Sequence, residues 1–164
     1  MRVVLAGLAS LALSACAHTA HAPAEANHPE ARSYDASIDA TAEVDGALAR
    51  AMERGTRVLL VMGANWCHDS RALAGLLETP QVSALIDEHF ELVFVNVGMP
   101  QTDDGHNLHI ARRFGIDALP GTPNLLVIDA DGTLLNPESA TSWRNAASRD
   151  SDAVYAEIAD FTSN

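Results

Sequence analysis

The chain has 164 residues, 48% of them apolar, with a mean hydropathy of +0.02 and a formal net charge of −12. That length allows one domain of ordinary size, the hydropathy excludes a membrane bundle, and the acidity opposes nucleic acid or anionic lipid as a partner. All ten basic residues are arginine, so Schiff-base chemistry on a lysine is excluded.

At the start, Arg2 precedes an apolar run over 3–13 that is too short to span a bilayer, the pattern of a secretory signal. Leu13-Ser14-Ala15-Cys16 resembles the lipobox of bacterial lipoproteins. The resemblance implies cleavage before Cys16 and a diacylglycerol on its sulfur. Because Ala17 is not aspartate, it also implies sorting to the outer membrane. An ordinary cleavage site within 17–22 is the alternative. Residues 17–33 are rich in Ala, His, Pro and Glu without apolar period and read as a disordered tether. His18, His21 and His28 in it read as solvated linker residues rather than a metal site. The chain thus divides into a signal peptide (1–15), a lipidated Cys16 with its tether (16–33) and a domain (34–164).

Val44, Leu48 and Met52 recur at helical spacing over 41–54, with Thr41 as the expected N-cap and Gly55 as the C-cap. Residues 57–62 (RVLLVM) are a short apolar run rich in strand formers, and 72–78 read as a helix. Thr79-Pro80 reads as an N-cap with proline at the first helical position, opening a helix over 80–88. A strand is expected over 90–97, a polar loop over 98–106 and a short helix over 107–114 with Leu108, Ala111 and Phe114 inward. Residues 125–129 form a strand, 129–132 (DADG) a hairpin turn, and 133–135 the returning strand. The stretch 136–149 has no clear period, and Trp143 within it fits a core anchor or a partner contact equally well. The last helix covers 151–161, with Val154, Tyr155, Ile158 and Phe161 at helical spacing. The order βαβ then ββα predicts an α/β sheet covered on both faces.

Between the strand at 57–62 and its following helix lies Gly63-Ala64-Asn65-Trp66-Cys67-His68-Asp69-Ser70-Arg71. A cysteine where a strand ends and a helix begins faces unpaired amides and the positive end of the helix dipole, which favour the thiolate, the nucleophilic form. Trp66-Cys67-His68-Asp69-Ser70 resembles the Trp-Cys-x-x-Cys signature of the thioredoxin family with serine in place of the second cysteine. The run from Thr79-Pro80 to Val97 resembles a thioredoxin-like subgroup that includes the C-terminal domain of the bacterial thiol-disulfide interchange protein. Phe114-Gly115-Ile116 and Gly121-Thr122-Pro123 through Gly132 extend the likeness, which covers 58–135. It implies a thioredoxin-like fold, with a central mixed sheet of about four to five strands flanked by helices.

The resemblance also implies roles. Cys67 is the expected nucleophile, and Ser70 and His68 are expected to stabilise its thiolate, Ser70 by donating its hydroxyl to the sulfur. Asp69 opposes them. Trp66, Thr122 and Pro123 are expected to contact a client, with one proline in cis opposite the cysteine. Counting from Phe114-Gly115 favours Pro120 and counting back from the DADG turn favours Pro123, of which the rigid strand makes Pro123 the choice. Val61 stands where dithiol relatives carry a buried carboxylate that serves the resolving thiol. If Cys16 is lipidated, Cys67 is the one thiol left. A monothiol site can form a mixed disulfide, but release needs another thiol. The expected partners are therefore protein clients bearing thiols or disulfides, or a small thiol, as in the anterior gradient proteins that carry similar Cys-x-x-Ser motifs. No cofactor is implied. Two other readings stand beside this one. The first is a redox-inactive binding module. The second is a metal chaperone using Cys67, His68 and a loop histidine, His106 or His109, although no recognised metal spacing is present; His89, before a strand, reads as a packed or exposed side chain.

Overall fold

The computed structural model describes residues 29–102 and 104–162. The expected signal peptide, Cys16, and His18, His21 and His28 lie outside the described residues.

Strand β1 (Arg57–Gly63) is the centre of a three-stranded sheet, parallel to β2 (Phe90–Asn96) on one side and antiparallel to β5 (Asn124–Ile128) on the other. Val61 lies opposite Phe94 of β2 and Leu125 of β5. Burial on both faces explains why β1 and β5 read as unbroken apolar runs rather than as alternating ones. Val58, Leu60 and Met62 face a core with Val44, Ala47 and Ala51 of α1 (Ala40–Arg54) and Ile110 and Ala111 of α4 (Leu108–Arg113). Leu59 and Val61 face the other core, with Leu73 and Leu77 of α2 (His68–Leu77), Val82 and Ile86 of α3 (Pro80–His89), and Val154 and Ile158 of α5 (Ser151–Ala159). Helices therefore cover both faces, as expected.

Several details differ from the sequence reading. The N-cap of α1 is Asp39, not Thr41: its carboxylate accepts from the Thr41 and Ala42 amides at 3.1 Å each, while the Thr41 hydroxyl bonds His109 Nε2 at 3.0 Å. Gly55 closes the helix in the left-handed region (φ +69). The loop over 98–106 contains a small ladder of β3 (Gly98–Met99) against β4 (Asp104–Gly105). The main sheet has three strands among the described residues rather than four to five. The returning strand after the DADG turn amounts to one bridge, Ile128 to Leu134. Beyond it the Asn136 side chain replaces backbone pairing, accepting from Val127 N at 2.8 Å and donating to Leu125 O at 2.9 Å. Trp143 is a core anchor, fully buried with the Arg149 guanidinium stacked 4.0 Å from its ring. Residues 29–33, read as tether, lie along α2, where Ala31 N donates to Arg71 O at 3.0 Å.

Candidate functional site at the start of the second helix

The motif turn begins where β1 ends. Val97 N donates to Gly63 O at 2.9 Å, holding the strand end, and Gly63 leaves room for two neighbours. A Cβ there would lie 2.6 Å from the Tyr34 ring and 2.8 Å from Ser70 Oγ. Cys67 is the N-cap residue of α2 in extended conformation, and its carbonyl accepts from Arg71 N at 3.1 Å. The residue is 9% exposed. Its thiol donates to the Thr122 carbonyl at 3.5 Å.

The cis peptide bond is Thr122–Pro123, so of the two candidate prolines it is Pro123 that takes this form. Fully buried Asn124 follows, its side-chain amide donating to Gly121 O at 2.8 Å and bracing the loop that carries Thr122. Trp66 is half exposed beside the thiol, and its indole N–H donates to Gly98 O at 3.0 Å, fixing the ring against the loop after β2.

The other predicted site residues are placed as follows. Ser70 is fully buried one turn into α2, and its hydroxyl accepts from Ala64 N at 3.3 Å, so it braces the motif turn instead of bonding the sulfur as expected. The physical reason is its position under Gly63, where its oxygen meets the Ala64 amide of the turn. His68 Nδ1 lies 2.8 Å from Glu30 Oε1. Asp69 accepts from Ala147 N at 2.9 Å and so ties α2 to the 3₁₀ turn Ala146–Ser148. Among the described residues no group of three His, Cys, Asp or Glu could hold a metal ion.

Three residues that the sequence reading passed over complete the site. The fully buried Tyr34 donates its hydroxyl to Ser70 O at 3.1 Å and stacks edge-on to Phe94 at 5.3 Å. Burial, with a smaller contribution from the nearby Cys67, pushes its phenol far above the usual range. Arg71 donates to Asn65 O and Trp66 O, each at 3.1 Å. Glu30 accepts from Arg71 Nε at 2.8 Å, and this bond holds the Glu30 carboxyl below the usual carboxylate range, with His68 contributing. Two signals were present: Tyr34 is an aromatic at the edge of a polar stretch, and Arg71 lies four residues after Cys67, on the same face of the helix.

Residues 39–130, more than half of the chain, match the model of a family described as thioredoxin-like. The chain belongs to the thioredoxin-like family. Among solved structures this thioredoxin-like chain is similar to a disulphide isomerase from Xylella fastidiosa Temecula1. The identity is 32%, over 79% of this chain and 96% of that one, with a TM-score of 0.70. A search of curated proteins found no match.

Proposed function

We propose that this protein carries out thiol-disulfide exchange through a single reactive cysteine, Cys67, capturing or isomerising disulfide-bearing protein clients. The observation that carries this reading is the position of Cys67 at the start of α2, its sulfur against the backbone carbonyl that precedes cis Pro123 and beside the exposed ring of Trp66. The likeness to a disulphide isomerase supports it.

In the proposed step the Cys67 thiolate attacks one sulfur of a client disulfide. A new bond forms between Cys67 Sγ and that sulfur as the client S–S bond breaks, and the second client sulfur leaves as a thiolate. Release follows when a client cysteine or a small thiol attacks the mixed disulfide and returns Cys67 as a thiolate. When the attacking thiol belongs to the client, electrons balance with no external reductant and the outcome is isomerisation. Ser70 in place of a second cysteine leaves this chain without a resolving thiol in the motif.

The start of the chain supports an envelope location. Leu13-Ser14-Ala15-Cys16 has the form of a lipobox, and incorporation of a radioactive fatty acid, lost on Cys16→Ser, tests it. A second reading, a redox-inactive binding module, is favoured by the burial of Cys67 and by its thiol donating to Thr122 O. Substituting Cys67→Ala separates the two. Trapping clients in the envelope and resolving them on non-reducing gels is expected to give adducts that vanish in the variant. Client binding that persists unchanged without Cys67 would sink the exchange reading.

A further inference from the structure

We infer that residues 29–34 act as a strap whose docking on α2 sets the reactivity of Cys67, with Glu30 and Arg71 as the positioning pair. The inference deepens the proposed function and rests on Cys67 being a working thiol.

Two independent observations support it. The first is steric. Gly75 of α2 is a notch into which the strap's backbone is seated: a Cβ there would lie 2.1 Å from Pro29 O, 2.4 Å from Pro29 C and 2.8 Å from Glu30 N. Nothing larger than hydrogen fits at that position while the strap is docked. One turn earlier on the helix the Ala31 amide donates to Arg71 O at 3.0 Å. The second is electrostatic. Glu30, the second residue of the strap, meets two side chains in the first turn of α2, the imidazole of His68 at 2.8 Å and the guanidinium of Arg71 at 2.8 Å. Arg71 in turn holds the carbonyls of Asn65 and Trp66, the two residues before Cys67.

Other charged or titratable groups face this end of the helix from neighbouring elements, Arg144 against Gly121 of the cis-proline loop and His106 against Gly98 behind Trp66. Arg32 reaches Asn65 O at 3.5 Å from the strap itself. Asp69 is tied to Ala147 N. Tyr34 is buried and protonated, its hydroxyl on Ser70 O. With the strap docked, the carboxylate of Glu30 offsets the Arg71 charge at the start of α2. With the strap released, Arg71 keeps its charge without it, and the thiolate gains. The strap therefore holds Cys67 in a less reactive state, and whatever draws it off α2 activates the thiol.

The test is the pH dependence of iodoacetamide alkylation of the full chain, read by mass spectrometry on the peptide that carries Cys67 so that Cys16 does not contribute. Glu30→Gln removes the charge and keeps the backbone contact. Gly75→Ala displaces the strap and keeps every charge. Hydrogen exchange at the Ala31 amide reports docking separately. Both variants are expected to move the midpoint of the profile to lower pH and to raise the rate at neutral pH about two- to fivefold, the scale of one partly solvated charge. Arg71→Gln is expected to move the midpoint the other way. A purely structural strap would change the plateau rate through access to the sulfur and leave the midpoint in place. That result, with Ala31 exchanging freely in Gly75→Ala, overturns the proposal. A wild-type chain in which Cys67 fails to alkylate at any pH overturns instead the reading of Cys67 as a working thiol.

Discussion

Tyr34 shows how much of the site rests on one side chain outside the motif. Its ring fills the space that Gly63 leaves, its hydroxyl holds the carbonyl of Ser70, and its backbone N–H and C=O pair with the Asn65 side chain at 3.3 and 2.9 Å. The motif turn is thus braced from below by a residue some thirty positions earlier in the chain. Tyr34→Phe keeps the ring and deletes one buried hydrogen bond, leaving the Ser70 carbonyl without its phenol donor. The expected cost is about 1 kcal/mol, a lowering of Tm by a few degrees in thermal unfolding followed by circular dichroism. A variant as stable as the wild type would mean that another donor satisfies Ser70 O.

At the scale of elements, α1 is joined to β2 through Glu91, a nearly buried carboxylate that accepts from Arg50 Nε at 2.8 Å and from Arg54. Burial alone would raise its titration point, but the hydrogen bonds and charges of the two arginines outweigh burial and lower it. The sign follows from this. A carboxylate depressed in the folded state stabilises above its unfolded value of about 4.3, and the contribution is lost as pH falls through the lowered folded value. Glu91→Gln is expected to cost about 1–3 kcal/mol at pH 7, below the cost of breaking a fully buried pair because both arginines are half exposed. Urea midpoints at pH 7 and at pH 3 check this: the gap between wild type and variant should narrow in acid, and a gap independent of pH would assign the effect to packing.

The same scale shows what was legible in the chain. Apolar runs buried on both faces announce β1 and β5, and Thr79-Pro80 announces α3, because those signals are local. Pro123 could be chosen over Pro120 because the DADG turn measures back along a rigid strand. The cap of α1 was misplaced because Asp39 and Thr41 are both good caps two residues apart, and tertiary contact with His109 decides between them. The short return after the turn was invisible because Asn136 replaces a strand with side-chain hydrogen bonds, which leave no period-2 pattern. The strap was missed for a related reason: its composition is that of a solvated linker, and its docking depends on a notch at Gly75 far away in sequence.

The whole molecule is a thioredoxin-like scaffold that keeps the strand, the turn, the helix start and the cis proline around one thiol. Reducing a disulfide to two thiols takes two electrons. On the proposed exchange reading a site with one thiol reaches only the mixed disulfide, which places the limit at position 70 and not in the fold. Ser70→Cys in a Cys16→Ser chain puts this to the test. Position 70 is one helical turn from Cys67 and fully buried, so the new thiol exchanges the hydrogen bond to Ala64 N for a weaker acceptor and costs about 1 kcal/mol. With insulin as the disulfide substrate and dithiothreitol as reductant, the parent chain is expected to add little to the background rate, because each mixed disulfide at Cys67 waits on dithiothreitol for its release. The Ser70→Cys chain is expected to form its own disulfide after each turn and to raise the rate at least tenfold. If the variant forms the internal disulfide and still fails to turn over insulin, the surface around Trp66, Thr122 and Pro123 does not present clients to the sulfur, and the binding-module reading takes the lead.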